Sequence, residues 1–292
     1  MLTAALSLSG AIVYGAADFL GGLAARRVGT LLATAIAAVA GLLLMLAALP
    51  LLGGEWTLAD LGWGAVSGVI GAVAIALLYA CLAIGPMSIL SPLTALMSAI
   101  TPMLWGTLVG AERFGPLGVW GLGLALVAVV LVGFVPERGA VRPSLRGILL
   151  AVGSGLAIGG YYIAISHTAD ESGVVPLVAN RVVSAIVLFG AVGVAMVAAR
   201  VRRSGSPTTR PRDGVRTGVA LATACGLVDA TANVLLLLGI RAGDLAVAAV
   251  LGAMYPAGTI LLAAIVLRER IAPVQWAGLV LALAAAGLLA IA

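Results

Sequence analysis

Polar positions are sparse along this chain, and they separate ten long apolar stretches. These lie near residues 5–25, 29–52, 58–83, 86–110, 115–135, 146–166, 174–199, 215–239, 243–267 and 272–291. An α-helix needs roughly 20 mostly apolar residues to cross the hydrocarbon core of a bilayer, and each stretch is about that long. None shows the alternation of polar and apolar residues that a membrane β-barrel requires, and lipid offers backbone groups no other partner. The pattern therefore predicts an all-α integral membrane protein of ten transmembrane helices with no extramembrane domain. The first stretch has no basic segment ahead of it and runs on to about residue 25, so it reads as a transmembrane helix and not as a cleaved signal. The longest polar segment is Arg200–Arg216, and a second basic link, Pro136–Arg146, divides the chain near its middle.

Composition agrees and adds exclusions. Hydrophobic residues make up 63% of the 292 and charged residues only 9%. A soluble globular protein has about 25% charged residues. A soluble enzyme, a disordered chain and a nucleic-acid-binding domain are thereby excluded. The 39 glycines suit close helix packing, with Gly64-x-x-x-Gly68 and Gly155-x-x-x-Gly159 as small-residue contacts. Two cysteines in apolar runs, Cys81 and Cys225, and the single His167 make no disulfide framework and no metal set, and no cofactor is implied.

The chain also repeats. Glu112-Arg113-x-x-Pro116 and Gly121 are matched by Glu269-Arg270-x-x-Pro273 and Gly278, all at one offset of 157 residues (112 to 269). This predicts two five-helix repeats, residues 1–138 and 139–292. Because five is odd, the second repeat crosses in the opposite sense. Inverted repeats are a recurring plan of secondary transporters, with the site near mid-membrane between them.

On these features the chain resembles the EamA-type transporters of the drug/metabolite transporter superfamily. Ten helices in about 290 residues carry the resemblance, with the Glu-Arg, Pro and Gly boundary after the fourth and ninth spans, Tyr14-Gly15-x-x-Asp18-Phe19, and Gly85-Pro86-x-Ser88. The resemblance implies architecture more than substrate. Members export amino acids, metabolites or toxic organic compounds, and others move sugars, nucleotide sugars or phosphorylated compounds.

All sixteen basic residues are arginines. Thirteen fall in loops after odd-numbered spans, including Arg26, Arg27, Arg138 and Arg146, two (Arg113 and Arg241) in loops after even-numbered spans, and Arg181 lies within a span. The positive-inside rule then places both termini outside the cytoplasm, whereas many members of the resembled family keep both inside. The arginine-rich loop also suits anionic lipid.

An ionisable side chain inside a membrane helix is costly and so marks a functional site by default. Asp18 shares a small, polar face with Tyr14, Gly15 and Gly22, and reads as a carboxylate for a cation or a proton, or as a packing residue. Asp229 has Asn233 one turn on, which suits an amine ligand or a buried Asp–Asn pair. Arg181 lies about six residues into the seventh span. It reads as a snorkelling anchor, an ion-pair partner of an intramembrane Asp, or a clamp for a carboxylate. In the fourth span Ser91, Thr94, Ser98, Thr101 and Trp105 form one polar stripe, interrupted by Pro92 and Pro102, with Tyr255 and Pro256 as the counterpart in the ninth. Its hydroxyls line a cavity or bond back onto their own helix. Tyr162 lies on a weaker face of the same kind, and Tyr14, Tyr161 and Tyr162 are stacking candidates. Trp56, Trp63, Trp120 and Trp276 read as aromatic-belt residues. His167, beside Asp170 and Glu171, reads as a pH-sensitive gate residue or a solvated loop end.

Together these features predict a secondary transporter, an exporter of small polar metabolites, amino acids or amphiphilic organic compounds by alternating access. Protons are the candidate coupling ion. The expected partners are a small-molecule substrate and membrane lipid, not nucleic acid. The chain is expected to act as a monomer or homodimer in the cytoplasmic membrane of a bacterium. A receptor or scaffold without transport is the alternative. An intramembrane enzyme is disfavoured because no nucleophile has a base or metal beside it.

Overall fold

The structure is a computed structural model that describes residues 1–84, 87–133, 144–202, 212–266 and 272–291. The Glu269-Arg270 pair, the Gly85-Pro86 turn, and most of the two basic links lie outside the described residues, as does the side chain of Ser91. The described residues form eleven α-helices and one 3₁₀ turn, with no strand among them. In chain order they are α1 (Leu2–Val28), α2 (Thr30–Leu52), α3 (Leu58–Ile84), α4 (Met87–Leu108), α5 (Pro116–Gly133), α6 (Leu145–Ser166), α7 (Val175–Arg202), α8 (Arg212–Arg241), α9 (Leu245–Gly252), α10 (Tyr255–Val266) and α11 (Pro273–Ile291). The 3₁₀ turn is Asp170–Ser172.

Among the described residues, eight stretches are long and apolar enough to cross a membrane, the α9–α10 pair counting as one. The fourth and fifth apolar runs give shorter apolar helices, Leu93–Leu108 and Pro116–Val132. The 18 residues of α5 rise only about 27 Å, slightly less than the hydrocarbon thickness.

The helices are built inside out by size. Buried positions are dominated by alanine: Ala24, Ala35, Ala95, Ala99, Ala125, Ala151, Ala222 and Ala285 are completely enclosed. Large apolar side chains such as Leu43, Leu149, Ile186, Val194 and Leu283 project outward. In water that surface would aggregate, whereas lipid is as apolar as leucine, and packing between small residues holds the helices together.

Helix pairing follows a regular plan. α1 packs along α8 and α3 along α6; α2 lies on α8 and α3 on α7; α4 lies on α6 and α1 on α10. α2 meets α7, α4 meets α9, and α5 meets α11. Several contacts are close enough to require glycine. A Cβ at Gly15 would come within 2.5 Å of the Thr259 backbone N, so α1 and α10 touch backbone to backbone. There the Thr259 hydroxyl donates to the Gly15 carbonyl at 3.1 Å.

The ninth apolar run is not one helix. It breaks at Ala253–Met254, because Pro256 has no N–H to continue the ladder and is tolerated only in the first turn of α10. By contrast, α4 continues through Pro92 and Pro102, where the prolines predict an interruption. Near Pro102, the Ser98 hydroxyl donates to Ala95 O at 2.8 Å and the Thr101 hydroxyl to Met97 O at 2.7 Å.

The loops after α2, α4, α6 and α8 make one face, called here the even-loop face, and polar groups clasp it together. Thr57 caps α3 by accepting from Asp60 N at 3.1 Å, and the buried Asp60 carboxylate accepts from Ala169 N at 2.8 Å. Arg241, at the end of α8, donates to Gly173 O at 2.8 Å, Ala169 O at 2.7 Å and the Ser172 hydroxyl at 3.0 Å. The Glu112 carboxylate accepts from Leu245 N at 2.7 Å and Ala246 N at 3.2 Å, capping the free N–H groups that open α9. Burial holds the Glu112 carboxyl above the usual carboxylate range; the two N–H donors oppose this and neighbouring Asp244 adds to it.

Candidate functional site

The site is built where α1, α6, α7 and α8 meet. Arg181, on α7, pairs its guanidinium with the Asp229 carboxylate on α8. Both side chains are largely enclosed, so Arg181 is an ion-pair partner and does not snorkel. Gly41 on α2 lies beside it, at a distance where a Cβ would make ordinary contact with Arg181 Nε, 3.4 Å away. One helical turn beyond Asp229, Asn233 Nδ2 donates to the Asp229 carbonyl at 2.7 Å and reaches its carboxylate at 3.3 Å. The other end of that amide, Asn233 Oδ1, accepts from the Tyr161 hydroxyl of α6. Tyr14 of α1 lies within electrostatic reach of Tyr161, Asp229 and Arg181. Three helices, α6, α7 and α8, are thus joined by a single polar network.

Within this network the charge balance is local. An arginine and a carboxylate neutralise each other, and Asn233 and Tyr161 take up remaining acceptor capacity. Burying two charges is tolerable only when both are paired and hydrogen-bonded in this way.

Asp18 is different. It lies within electrostatic reach of Asp229, Tyr162, Tyr255 and Cys225, so it faces the same interior. Yet its side chain is exposed and has no hydrogen bond or ion pair among the described residues. Asp18 is thus an accessible carboxylate on a membrane helix, with other polar groups of the interior within electrostatic reach. Arg181 is already engaged by Asp229. The region around these three groups therefore has one negative charge left over whenever Asp18 is ionised.

Three tyrosines lie in the same region. Tyr161 and Tyr162 are buried, with ring centroids 5.5 Å apart and planes tilted by 59°. Tyr255, at the first position of α10, is half-buried beside the helix break.

The structure brings Tyr14, Asp18, Tyr162, Arg181, Asp229, Asn233 and Tyr255 into one region. Thr94, Ser98 and Thr101 of the fourth-span stripe lie against α6. Thr94 and Ser98 are fully buried in the contact with α6, where a Cβ at Gly155 would lie 2.6 Å from Thr94 O and 3.2 Å from Ser98 N. The Thr94 hydroxyl donates to Leu90 O at 3.0 Å and to Ala151 O of α6 at 3.2 Å. Thr101 packs on Gly159. These hydroxyls satisfy backbone carbonyls and pack α4 against α6. Tyr161 is the network member that the sequence reading valued only for its ring. Its neighbour Tyr162 drew more attention by sharing a face with Gly155 and Gly159. Asp60 was legible in principle, since Thr57-x-x-Asp60 has the spacing of a capping box.

The helices and the paired intramembrane charges define a multi-pass integral membrane protein with a polar interior. The family model described as the EamA-like transporter family matches residues 145–291. The chain therefore belongs to the EamA-like transporter family, within the drug/metabolite transporter superfamily. No curated protein matches it. Among solved structures, one described only as the crystal structure of a protein superposes with a TM-score of 0.73. It covers 99% of this chain and 98% of its own at 16% identity, a likeness of fold.

Proposed function

We propose that this chain is a secondary transporter that exports small polar metabolites, amino acids or amphiphilic organic compounds from a bacterium across its cytoplasmic membrane. The observation that carries the reading is the pairing of a neutralised Arg181–Asp229 network with an accessible, unpartnered Asp18 beside it. An unbalanced carboxylate in a membrane interior favours occupation by a proton or a cationic group. Proton exchange through this region is the driving force we assign.

Two inverted five-helix repeats, residues 1–138 and 139–292, form the moving parts. The pairing of the helices supports this. Exchanging the two halves turns the α1–α8 contact into α6–α3, α2–α8 into α7–α3, and α4–α6 into the contact of α9–α10 with α1. The α2–α7, α4–α9 and α5–α11 contacts map onto themselves. Both termini lie outside the cytoplasm in this reading, because the arginines concentrate on the opposite face. The protein works as a monomer or homodimer with lipid around it.

The test is flux in proteoliposomes against a panel of amino acids, amines and organic compounds, with and without a pH gradient. Efflux that rises with an inward proton gradient and falls in Asp229→Asn at normal expression supports the reading. Unchanged flux in Asp229→Asn would overturn the site assignment.

A further inference from the structure

A cavity of about 340 Å³ opens on the even-loop face, lined by Trp105, Glu112, Ser166, His167, Ile240 and Leu245 among others. We propose that this cavity is a second ligand site, separate from Asp18, which holds a monovalent organic ammonium ion against Glu112, Trp105 and His167. The site is argued from the cavity alone; its role as a station for solute at the even-loop face rests on the transporter reading above.

The lining offers acceptors and aromatic faces. Glu112 spends one hydrogen bond per oxygen on α9, and a carboxylate oxygen accepts two. The Ser166 hydroxyl donates to Ile163 O at 2.8 Å, leaving its oxygen able to accept. His167 Nδ1 lies 2.7 Å from the same carbonyl, which selects the tautomer with the proton on Nδ1 and leaves Nε2 an acceptor. Trp105 and His167 have ring centroids 6.0 Å apart, and Trp63 stacks on the outer side of His167 at 4.7 Å, fixing its plane. An ammonium beside aromatic faces and a carboxylate is a favourable combination, worth more when partly desolvated. The volume suits a small organic ion, being at the lower end of ligand-pocket sizes.

Glu112 is also a partly desolvated carboxylate that a cation would stabilise. Its carboxylate rests directly on Gly106, where any side chain would collide with it. Burial and Asp244 both act against its charge, and among the described residues no cation pairs with it.

Neither Asp18 nor any member of the polar network beside it lines the cavity. Tyr161, Tyr162, Ile165, Leu236, Leu237 and Ile240 form one buried cluster that reaches Leu245 at the cavity wall. A ligand here is therefore not the ligand at Asp18.

The experiment is isothermal titration of phenyltrimethylammonium into the full-length protein in nanodiscs of phosphatidylglycerol, with Asp18→Asn as the background. Saturable binding in that background, weakened at least tenfold by Glu112→Gln, is expected. Glu112→Gln also loosens the cap of α9, so Val109→Trp provides a second variant. Val109 lines the cavity from an exposed position, and a tryptophan there fills the space without touching the cap. Loss of all binding in Asp18→Asn, or affinity within twofold of the background in Val109→Trp, would overturn the site.

Two further arms separate the alternatives. Nanodiscs containing phosphatidylethanolamine that suppress the probe would assign the site to a lipid ammonium, and equal binding would assign it to a free cation; both uphold the ammonium site. Flux of the parent protein, with Asp18 intact, in sealed proteoliposomes keeps the two ideas apart. Binding that persists in a protein showing no flux upholds the cavity and sinks the transporter reading. Normal flux with binding indifferent to Val109→Trp does the reverse.

Discussion

Asp229 and Asp18 are both carboxylates in the middle of membrane helices, within electrostatic reach of one another. Their surroundings differ in every other respect. Asp229 is held by Arg181 and Asn233, and through Asn233 by Tyr161. Asp18 has room around it and no partner among the described residues. The contrast teaches that an intramembrane charge can have two uses. One joins helices at fixed positions, because its removal would leave an opposite charge unpaired. The other is kept available, because anything that neutralises it has to come from outside the network.

The largest effect should come from breaking the paired side. Arg181→Leu leaves Asp229 buried without its counter-ion, an error that costs about 3–5 kcal/mol. Thermal unfolding should fall by roughly 10 °C, taking about 2–4 °C per kcal/mol for a chain of this size, and transport should vanish. The double variant Arg181→Leu/Asp229→Leu should recover most of the thermal stability but none of the flux. If the double variant is as unstable as the single one, the pair is not the source of the stability.

Next comes the available side. Asp18→Asn should leave the melting temperature within about 2 °C of the parent, since no hydrogen bond or ion pair is lost. Flux driven by a pH gradient should fall by an order of magnitude or more, the size expected when a group that exchanges protons is removed. A large loss of stability would show that Asp18 has a structural partner after all.

Tyr161→Phe sharpens the boundary between the two. It removes the donor to Asn233 Oδ1 and should cost about 1–2 kcal/mol, seen as a modest fall in melting temperature, with flux reduced several-fold. The smallest effect belongs to the helix-four hydroxyls. Ser98→Ala and Thr94→Ala remove hydroxyls that bond backbone carbonyls in the contact with α6, and substrate affinity in a flux assay should change less than twofold. A tenfold change in affinity would return that stripe to the solute pathway.

How much of this was legible in the sequence depends on the range of the interaction. Apolar run length located the helices to within a few residues, and the one-turn spacing of Asp229 and Asn233 was visible because it is local. Depth alone suggested an ion pair for Arg181, but its partner lies 48 residues away and no spacing rule selects it. The helix-four stripe was legible as a polar face but not as a packing face, because period reports which residues share a side and not what that side meets. Likewise α4 and the α9–α10 pair both contain proline, and only the chain around each decides whether the helix continues. Glu112 caps a helix 133 residues further on, a contact that belongs to tertiary structure alone.

The break at Ala253–Met254 gives the ninth run the mechanics of a jointed rod. Its short outer segment, α9, is pinned to the even-loop face by Glu112, while its inner segment, α10, is fastened to α1 through Thr259 and Gly15. Because Pro256 has already removed a rung of the ladder, bending at the joint sacrifices little hydrogen bonding. Torque applied to α10 is therefore not passed rigidly to α9. Any push on α1 at Asp18 is carried by α10 as far as the joint and can be absorbed there, while the clasped face beyond it stays still.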